Sequence, residues 1–124
     1  MPQKYRVLIA DDHRMFAEAL QAILATDQRL EVAGYAGDGG EAVRLALTLR
    51  PDVTLMDIAM PIMDGLQATK QIRKQWPTAC VLMLTGSNAA ADVDRSRDAG
   101  AAGYVTKDRI ASQLVEAIVE AASR

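Results

Sequence analysis

The chain has 124 residues, is half hydrophobic and carries a formal net charge of −2, which fits one domain with one core. This slightly acidic chain, with 4% aromatic residues, is a poor match for the basic faces and stacking platforms that bind nucleic acids, so we expect no direct nucleic-acid binding. Cys80 is the only cysteine, and no apolar run reaches membrane-spanning length, which together predict a cytoplasmic protein without a membrane partner.

Five short runs rich in Val, Leu and Ile predict buried strands. They lie at Tyr5–Ala10, Leu30–Ala36, Val53–Met56, Ala79–Leu84 and Gly103–Thr106. Pro51 and Pro77 stand just before the third and fourth runs, where a preceding helix must already have ended.

The segments between the strands have helical periodicity, because apolar residues recur at intervals of three and four. These residues are Phe16, Ala19, Leu20, Ile23 and Leu24 in the first helix, Val43, Ala46 and Leu47 in the second, Ala68, Ile72 and Trp76 in the third, and Ile110, Leu114, Ala117, Ile118 and Ala121 in the last. Asp64 is predicted to cap the third helix, which begins near Gly65, with Gln67 as its reciprocal partner.

The segment 88–99, where a fourth helix belongs, has Val93 as its only large apolar residue. Asp94 and Arg97 occupy positions where an amphipathic helix would carry leucine. Alanine favours helix, but it buries little surface against a sheet. We therefore predict that this helix is short, displaced or mobile relative to the other four.

Strands that alternate with helices five times predict a doubly wound (βα)5 flavodoxin-like sandwich. The near-continuous apolar strands fit a parallel sheet that helices cover on both faces. The usual strand order for such a sheet is 2-1-3-4-5, and its ligand site lies outside the carboxyl ends of strands 1 and 3.

Several polar residues of the sequence lie where this rule predicts a ligand site. Those at or just after the strand ends are Asp11 and Asp12 for strand 1, Asp57 for strand 3, Thr85 for strand 4 and Lys107 for strand 5. Strand 2 offers no obvious contribution. Three neighbouring acids repel one another, and a divalent cation such as Mg²⁺ would relieve that repulsion. With a lysine and a hydroxyl beside it, such a site suits phosphoryl transfer, and Asp57 is the natural nucleophile because it ends a middle strand.

The sequence resembles the receiver domains of bacterial two-component response regulators. The motifs that carry the resemblance are VLIADDH, VTLMDIAMPIMDG, VLMLTG and AGAAGYVTKD, in that order and at compatible spacings, and the likeness covers residues 4–122. The motifs DDH and GYVTKD resemble those of the NarL/LuxR-like subgroup, whose members usually carry a C-terminal helix-turn-helix domain that binds DNA. On this basis residues 1–124 form one receiver domain, and an output domain would lie outside the chain.

The resemblance implies that Asp57 accepts a phosphoryl group from a phospho-histidine of a sensor histidine kinase. Asp12 and Asp57 would bind Mg²⁺ (or Mn²⁺) directly, Asp11 would act largely through water, and the backbone carbonyl of Ala59 would complete the protein ligands. Lys107 would bind a phosphate oxygen.

The resemblance also implies a switch, in which Thr85 moves toward the phosphoryl group and Tyr104 moves inward behind it. That motion would reshape the face made by helix 4, strand 5 and helix 5. A homodimer is a further expectation, through helices 1 and 5 or through that same face. In many relatives a proline follows the lysine with a cis peptide. Asp108 follows Lys107 here, so the isomer stays open.

Three other functions compete with this interpretation. An aspartyl-nucleophile phosphatase needs a second acid two residues after the first, and that position is Ala59. A flavin carrier on the same fold needs a phosphate-binding loop after strand 1, where this chain has acids. A stand-alone receiver that acts only through protein–protein contacts stays open. His13 is expected to face solvent in the first turn of helix 1, and Cys80 to be a buried, inert strand residue.

Overall fold

The computed structural model describes residues 4–86 and 90–124. Strands and helices alternate along the chain. They are β1 (Tyr5–Ala10), α1 (Arg14–Ala25), β2 (Leu30–Ala36), α2 (Gly39–Leu49), β3 (Val53–Asp57), α3 (Gly65–Gln75), β4 (Val81–Thr85), α4 (Ala90–Asp98), β5 (Gly103–Thr106) and α5 (Ile110–Ala122). A single 3-10 turn, Lys107–Arg109, joins β5 to α5. In the described part of the chain, no helix has both the length and the apolar content needed to cross a membrane.

The five strands form one parallel sheet in the order β2-β1-β3-β4-β5, as the sequence predicts. Strands β3 and β4 are buried along their whole length, which is why they read as continuous apolar runs. Strand β4 begins at Val81, two residues later than predicted, because the amide of Ala79 still closes a turn onto the carbonyl of Trp76 at 3.0 Å.

Side chains that alternate along the strands supply two separate cores, one on each face of the sheet. Leu8 and Met56 face one core, together with residues of α2 and α3. Ile9 and Leu55 face the other core, which α1 and α5 cover. The sheet is therefore a central layer between two helical layers, and its carboxyl edge is left for the loops.

The helices confirm most of the predicted apolar faces, with one error in α1. Leu20 and Leu24 are fully buried, but Ala17 is buried in place of Ala19, which is exposed. The predicted cap of α3 is present. The carboxylate of Asp64 accepts a hydrogen bond from the amide of Gln67 at 2.8 Å, and the Gln67 side chain accepts one from the amide of Asp64.

Helix α4 is attached to the rest of the domain by few apolar contacts. Its described residues number nine, against eleven to thirteen in the other four helices, and Ser96 is the only one of them that is buried. Val93 is half-buried. The start of the predicted segment, residues 88 and 89, lies outside the described residues. A short α4 agrees with the expectation from sequence, while its mobility stays a prediction.

The loop between β3 and α3 passes very close to neighbouring backbone. A Cβ placed on Gly65 would lie 2.1 Å from the carbonyl oxygen of Asp57, and one on Gly39 would lie 2.0 Å from that of Met63. Such approaches exclude any side chain. The loop also turns sharply at Ile62, whose φ of 71° is left-handed and costs a β-branched residue about 1–2 kcal/mol.

Two adjacent glycines of α2 are expected to respond in opposite ways to alanine. Gly39→Ala should lower the free energy of unfolding by about 2 kcal/mol or more, since its Cβ would meet the Met63 backbone. Gly40→Ala should raise it by about 0.5–1 kcal/mol, because its nearest neighbour is a side-chain oxygen at 3.4 Å and alanine favours helix. Urea unfolding of both variants tests the pair, and equal effects would contradict this packing.

Candidate functional site

Four of the predicted site residues meet at the carboxyl edge of the sheet. Asp11 directly follows β1, Asp57 is the last residue of β3, and Thr85 is the last residue of β4. Lys107 opens the 3-10 turn after β5. Parallel strands direct their carboxyl ends to the same edge, so residues far apart in the chain become neighbours.

Asp11 and Asp57 are both buried, and Lys107 is the cation that faces them. Asp11 is fully buried and Asp57 is 3% exposed. The ammonium Nζ of Lys107 lies 3.3 Å from Oδ1 of Asp57 and 3.9 Å from Oδ2 of Asp11. One lysine thus bridges two buried acids, and it neutralises only one of two negative charges if both are ionised.

Two buried carboxylate oxygens in this pocket lack a hydrogen-bond partner among the described residues. Within residues 4–86 and 90–124, neither Oδ2 of Asp11 nor Oδ2 of Asp57 has a hydrogen-bond partner. Leaving such atoms buried is costly, and it is usual only where a ligand completes the site. Potential ligand atoms of Asp11, Asp12, His13 and Asp57 lie within 4.8 Å of one another. This oxygen-rich, acidic donor set fits a hard divalent cation such as Mg²⁺ or Mn²⁺.

The pKa of Asp57 is raised above its usual value. Burial is the main cause, and the negative charge of Asp11 adds to it. The Lys107 ammonium and a hydrogen bond from the backbone amide of Ala59 lower the pKa, but they do not cancel the increase. Without a further cation, this carboxylate is therefore under electrostatic strain in its ionised form.

The segment after Asp57 is held by backbone hydrogen bonds. The amide of Ile58 donates to the carbonyl of Leu84 at 3.2 Å, and the amide of Gly65 donates to the carbonyl of Ile58 at 2.8 Å. Ala59 is exposed and donates its amide to the Asp57 carboxylate. The predicted use of its carbonyl as a metal ligand stays a prediction.

The acidic pair after β1 is shaped by the start of α1. The backbone amide of His13 donates to Oδ1 of Asp11 at 2.8 Å, and His13 is the residue that precedes the first turn of α1. Its side chain is 69% exposed, as expected, and its Nδ1 lies 3.2 Å from Oδ1 of Asp12. Asp12 therefore stands at the rim of the pocket, between the buried Asp11 and solvent.

The two predicted switch residues lie on neighbouring strands. Thr85 is buried and pairs in register with Thr106 of β5. Tyr104 is 40% exposed, and it lines a cavity of about 200 Å³ together with Val93 and Arg97 of α4. Their movement on phosphorylation stays a prediction. The peptide between Lys107 and Asp108 is trans.

Two aromatic residues contribute to the site although the sequence did not single them out for it. The hydroxyl of Tyr35, on β2, donates a 2.6 Å hydrogen bond to the backbone carbonyl of Asp11. Strand β2 therefore contributes a side chain to the site, contrary to the expectation from sequence. The ring of Phe16, on α1, has the Nζ of Lys107 over its face at 4.7 Å from the ring centroid. Neither contact follows from a motif, because each joins side chains or backbone from separate elements.

Cys80 differs from its prediction. It precedes β4 and is only half-buried, and its thiol donates a 3.7 Å hydrogen bond to the carbonyl of Ala121. Burial raises the pKa of this thiol, which disfavours the reactive thiolate.

Fold and site together define a doubly wound α/β domain with an acidic, lysine-bridged pocket at the carboxyl edge of its sheet. The chain belongs to the family described as response regulator receiver domain, which it matches over residues 7–119. Members of this family are signalling domains of two-component systems and are not generally metabolic enzymes. The phosphatase and flavin-carrier alternatives are set aside by this match.

Known proteins similar to this chain are response regulators. The response regulator protein VraR of Staphylococcus aureus (strain NCTC 8325 / PS 47) is 40% identical over 113 residues, which are 91% of this chain and 54% of VraR. The chain therefore spans about half the length of the curated relatives it matches.

Solved structures agree with this family. The signal receiver domain of NarL from Mycobacterium tuberculosis has a TM-score of 0.93 and 34% identity, with 98% of each chain covered. A LuxR-family response regulator from Aurantimonas sp. SI85-9A1 has a TM-score of 0.93 and 32% identity, covering 98% of this chain and 86% of that one. The likeness to NarL and LuxR-family regulators confirms the subgroup suggested by the motifs.

Removing the charge of Asp57 is expected to stabilise the metal-free domain. The folded chain holds the Asp57 proton more tightly than the unfolded chain, so ionisation destabilises the fold as pH rises above the unfolded pKa, about 4. In EDTA, Asp57→Asn should raise the free energy of unfolding at pH 7 by about 1 kcal/mol, and the gain should shrink as the pH falls toward 4. Urea titrations across pH measure it, with the exposed Glu31→Gln as control. A variant less stable than the parent at pH 7 would contradict the argument.

Removing the hydroxyl of Tyr35 should destabilise the start of the acidic loop. Tyr35→Phe deletes the hydrogen bond to the Asp11 carbonyl and should lower the free energy of unfolding by about 1 kcal/mol. Tyr5→Phe, at the opposite end of β1, is the matched control. If both variants unfold at the same urea concentration as the parent, the Tyr35 hydrogen bond has no energetic role.

Proposed function

We propose that this domain accepts a phosphoryl group on Asp57 from a phospho-histidine of a sensor histidine kinase. The observation that carries the proposal is the buried Asp57. Its Oδ2 has no hydrogen-bond partner in the described part of the chain, while Lys107 lies 3.3 Å from its Oδ1 beside a second buried acid. The remaining site residues of the proposal are Asp11, Asp12, Thr85 and the carbonyl of Ala59. Family membership supports this assignment of roles.

The chemistry is an exchange of one bond for another. A carboxylate oxygen of Asp57 attacks phosphorus and forms an acyl phosphate, while the bond from phosphorus to the histidine nitrogen breaks and its electron pair returns to the imidazole. The ammonium of Lys107 lies where it can donate to a phosphoryl oxygen. A bound Mg²⁺ or Mn²⁺ would supply positive charge to the phosphoryl oxygens, and Asp11, Asp12 and Asp57 would hold it. The domain is in this sense a catalyst only of its own phosphorylation and dephosphorylation.

Asp57 is a better acceptor than its two acidic neighbours for reasons of geometry. Oδ1 of Asp11 already accepts the His13 amide, and its other oxygen faces Lys107. Asp12 lies at the rim, where His13 is beside it. Asp11 and Asp57 are both buried and each keeps one oxygen without a hydrogen-bond partner among the described residues, but Asp57 ends the central strand and lies nearer to Lys107 Nζ, at 3.3 Å against 3.9 Å for Asp11.

The output of the switch is proposed to lie on the face formed by α4, β5 and α5. Thr85 adjoins the acceptor through the sheet edge, and Tyr104 lines the cavity against α4. A phosphoryl group shifts the conformation only if one arrangement of these residues binds it better than the other. The weak burial of α4 makes a change on this side less costly than on the α1 side.

The whole protein is proposed to regulate transcription from the cytoplasm. The similar proteins include a structure described as a DNA-binding response regulator of the LuxR family from Staphylococcus aureus, which is 26% identical to this chain. Residues 1–124 would then be one receiver domain, and a helix-turn-helix output domain would lie outside them. A stand-alone receiver that acts through protein–protein contacts is the alternative. A homodimer, through α1 and α5 or through the α4–β5–α5 face, would be compatible with either function. Phosphorylation-dependent DNA binding by a longer chain would separate the two.

The direct test is phosphorylation by a small donor. With Mg²⁺ and acetyl phosphate, intact-mass spectrometry should show one added phosphoryl group, lost on adding EDTA beforehand or on Asp57→Asn. Lys107→Gln should lower the rate by at least about tenfold, because a charged hydrogen bond to the phosphoryl group is removed.

Asp52→Asn, an exposed acid just before β3, is the matched control and should label like the parent. An adduct that persists in Asp57→Asn would reject Asp57 as the acceptor. A parent protein that gains no mass would reject phosphoryl transfer from this donor and, with it, the proposed function.

A further inference from the structure

Lys107 must keep a flexible side chain in one place to act on a phosphoryl group. It stands in a 3-10 turn at the domain edge, and its side chain is 30% exposed. A lysine ammonium on four methylene groups has many rotamers in such a position. Its two carboxylate partners, Asp57 and Asp11, are the groups from which a phosphoryl group or a metal would draw it away.

A third contact of Lys107 does not compete with the reaction. Its Nζ lies 4.7 Å from the centroid of the Phe16 ring, within the range of a cation–π interaction. The face of the ring attracts the ammonium charge, but the ring has no lone pair that would occupy its N–H groups. Phe16 can therefore hold the ammonium and still leave its hydrogens available to oxygen.

The Phe16 ring is itself held by the domain. It projects from the first turn of α1, two residues after Arg14 begins the helix. It is partly buried and packs against the core that α1 shares with α5. The ring thus ties the lysine after β5 to the helix after β1.

We propose that Phe16 is a positioning residue for Lys107, whose ring face keeps the ammonium over the Asp57 carboxylate without taking up its hydrogen bonds. The alternative is a purely structural role, in which Phe16 only fills the α1 side of the core. Other apolar side chains of similar size would then support the same labelling rate. The two readings differ in what an aromatic face does, and substitutions can separate them. The kinetic part of the inference rests on the proposed function, and the spectroscopic part does not.

The first experiment measures the rate of labelling by acetyl phosphate in Mg²⁺. Phe16→Leu and Phe16→Met keep apolar bulk but lose the ring face, and each should lower the second-order rate by about threefold to tenfold. Phe16→Tyr keeps the ring and should stay within about twofold of the parent. Ile23→Ala, on the same helix and against the same core, is the control for lost packing and should lower the melting temperature without changing the rate.

The second experiment reads the contact without any reaction. Among the described residues, the Phe16 ring is the one that lies against the Lys107 ammonium, so we expect its ring current to be the main aromatic field on the ε-methylene protons of Lys107. In the metal-free protein these protons should resonate upfield of the other lysine ε-methylenes in a carbon–proton correlation spectrum. The shift should persist in Phe16→Tyr and disappear in Phe16→Leu and Phe16→Met.

The outcomes distinguish failure of the Phe16 role from failure of the proposed function. A parent that is labelled on Asp57, with Phe16→Leu and Phe16→Met labelled at the same rate, overturns the role of Phe16 and leaves the proposed function intact. A parent that is not labelled at all overturns the proposed function, and the spectrum then decides the contact alone. Unshifted ε-methylene protons in the folded parent overturn the contact itself.

Discussion

The repulsion between two buried carboxylates is the constraint around which the rest of this domain is arranged. Asp11 follows β1 and Asp57 ends β3, and because these strands are neighbours the sheet brings the two acids together. Burial and mutual repulsion raise the pKa of Asp57, and Lys107 offsets only part of this. The surrounding structure supplies what partners it can, with the His13 and Ala59 amides donating to these carboxylates. One oxygen of each acid still lacks a hydrogen-bond partner among the described residues, and a bound divalent cation would satisfy both.

The same constraint explains why stability and signalling oppose each other here. A neutral residue at position 57 should make the metal-free domain more stable, yet it would also remove the proposed phosphoryl acceptor. A divalent cation bound between these acids would offset their repulsion. A receiver of this kind is therefore stabilised by its ligands, and its folding and its chemistry respond to the same charges.

Most of the fold and the acid cluster could be predicted from the sequence because both follow from local patterns. The apolar strands have clear periods, and the rule that parallel strands place ligands at their carboxyl ends brings Asp11, Asp57 and Lys107 together. Tyr35 and Phe16 could not be predicted in the same way. The Tyr35 hydroxyl reaches the Asp11 carbonyl at the end of the neighbouring strand, and the Phe16 ring lies against a lysine from another element. Both contacts depend on side-chain directions that residue spacing does not encode. The burial of Ala17 where Ala19 was predicted has a different cause. The predicted face was counted from Phe16, which is only half-buried, whereas Ala17 lies three and seven residues before the fully buried Leu20 and Leu24.

The close approach of Gly65 to the Asp57 carbonyl has a consequence for the direction in which a signal can travel. With Gly39 against Met63 as well, the backbone between β3 and α3 is closely packed on the side of α2 and α3. On the opposite flank, α4 contributes a single buried serine and borders a cavity of about 200 Å³. The pocket is thus rigid on one flank and compliant on the other. If Asp57 is phosphorylated as proposed, the resulting strain would be relieved more easily toward α4, so the asymmetry of packing would give the domain an input side and an output side.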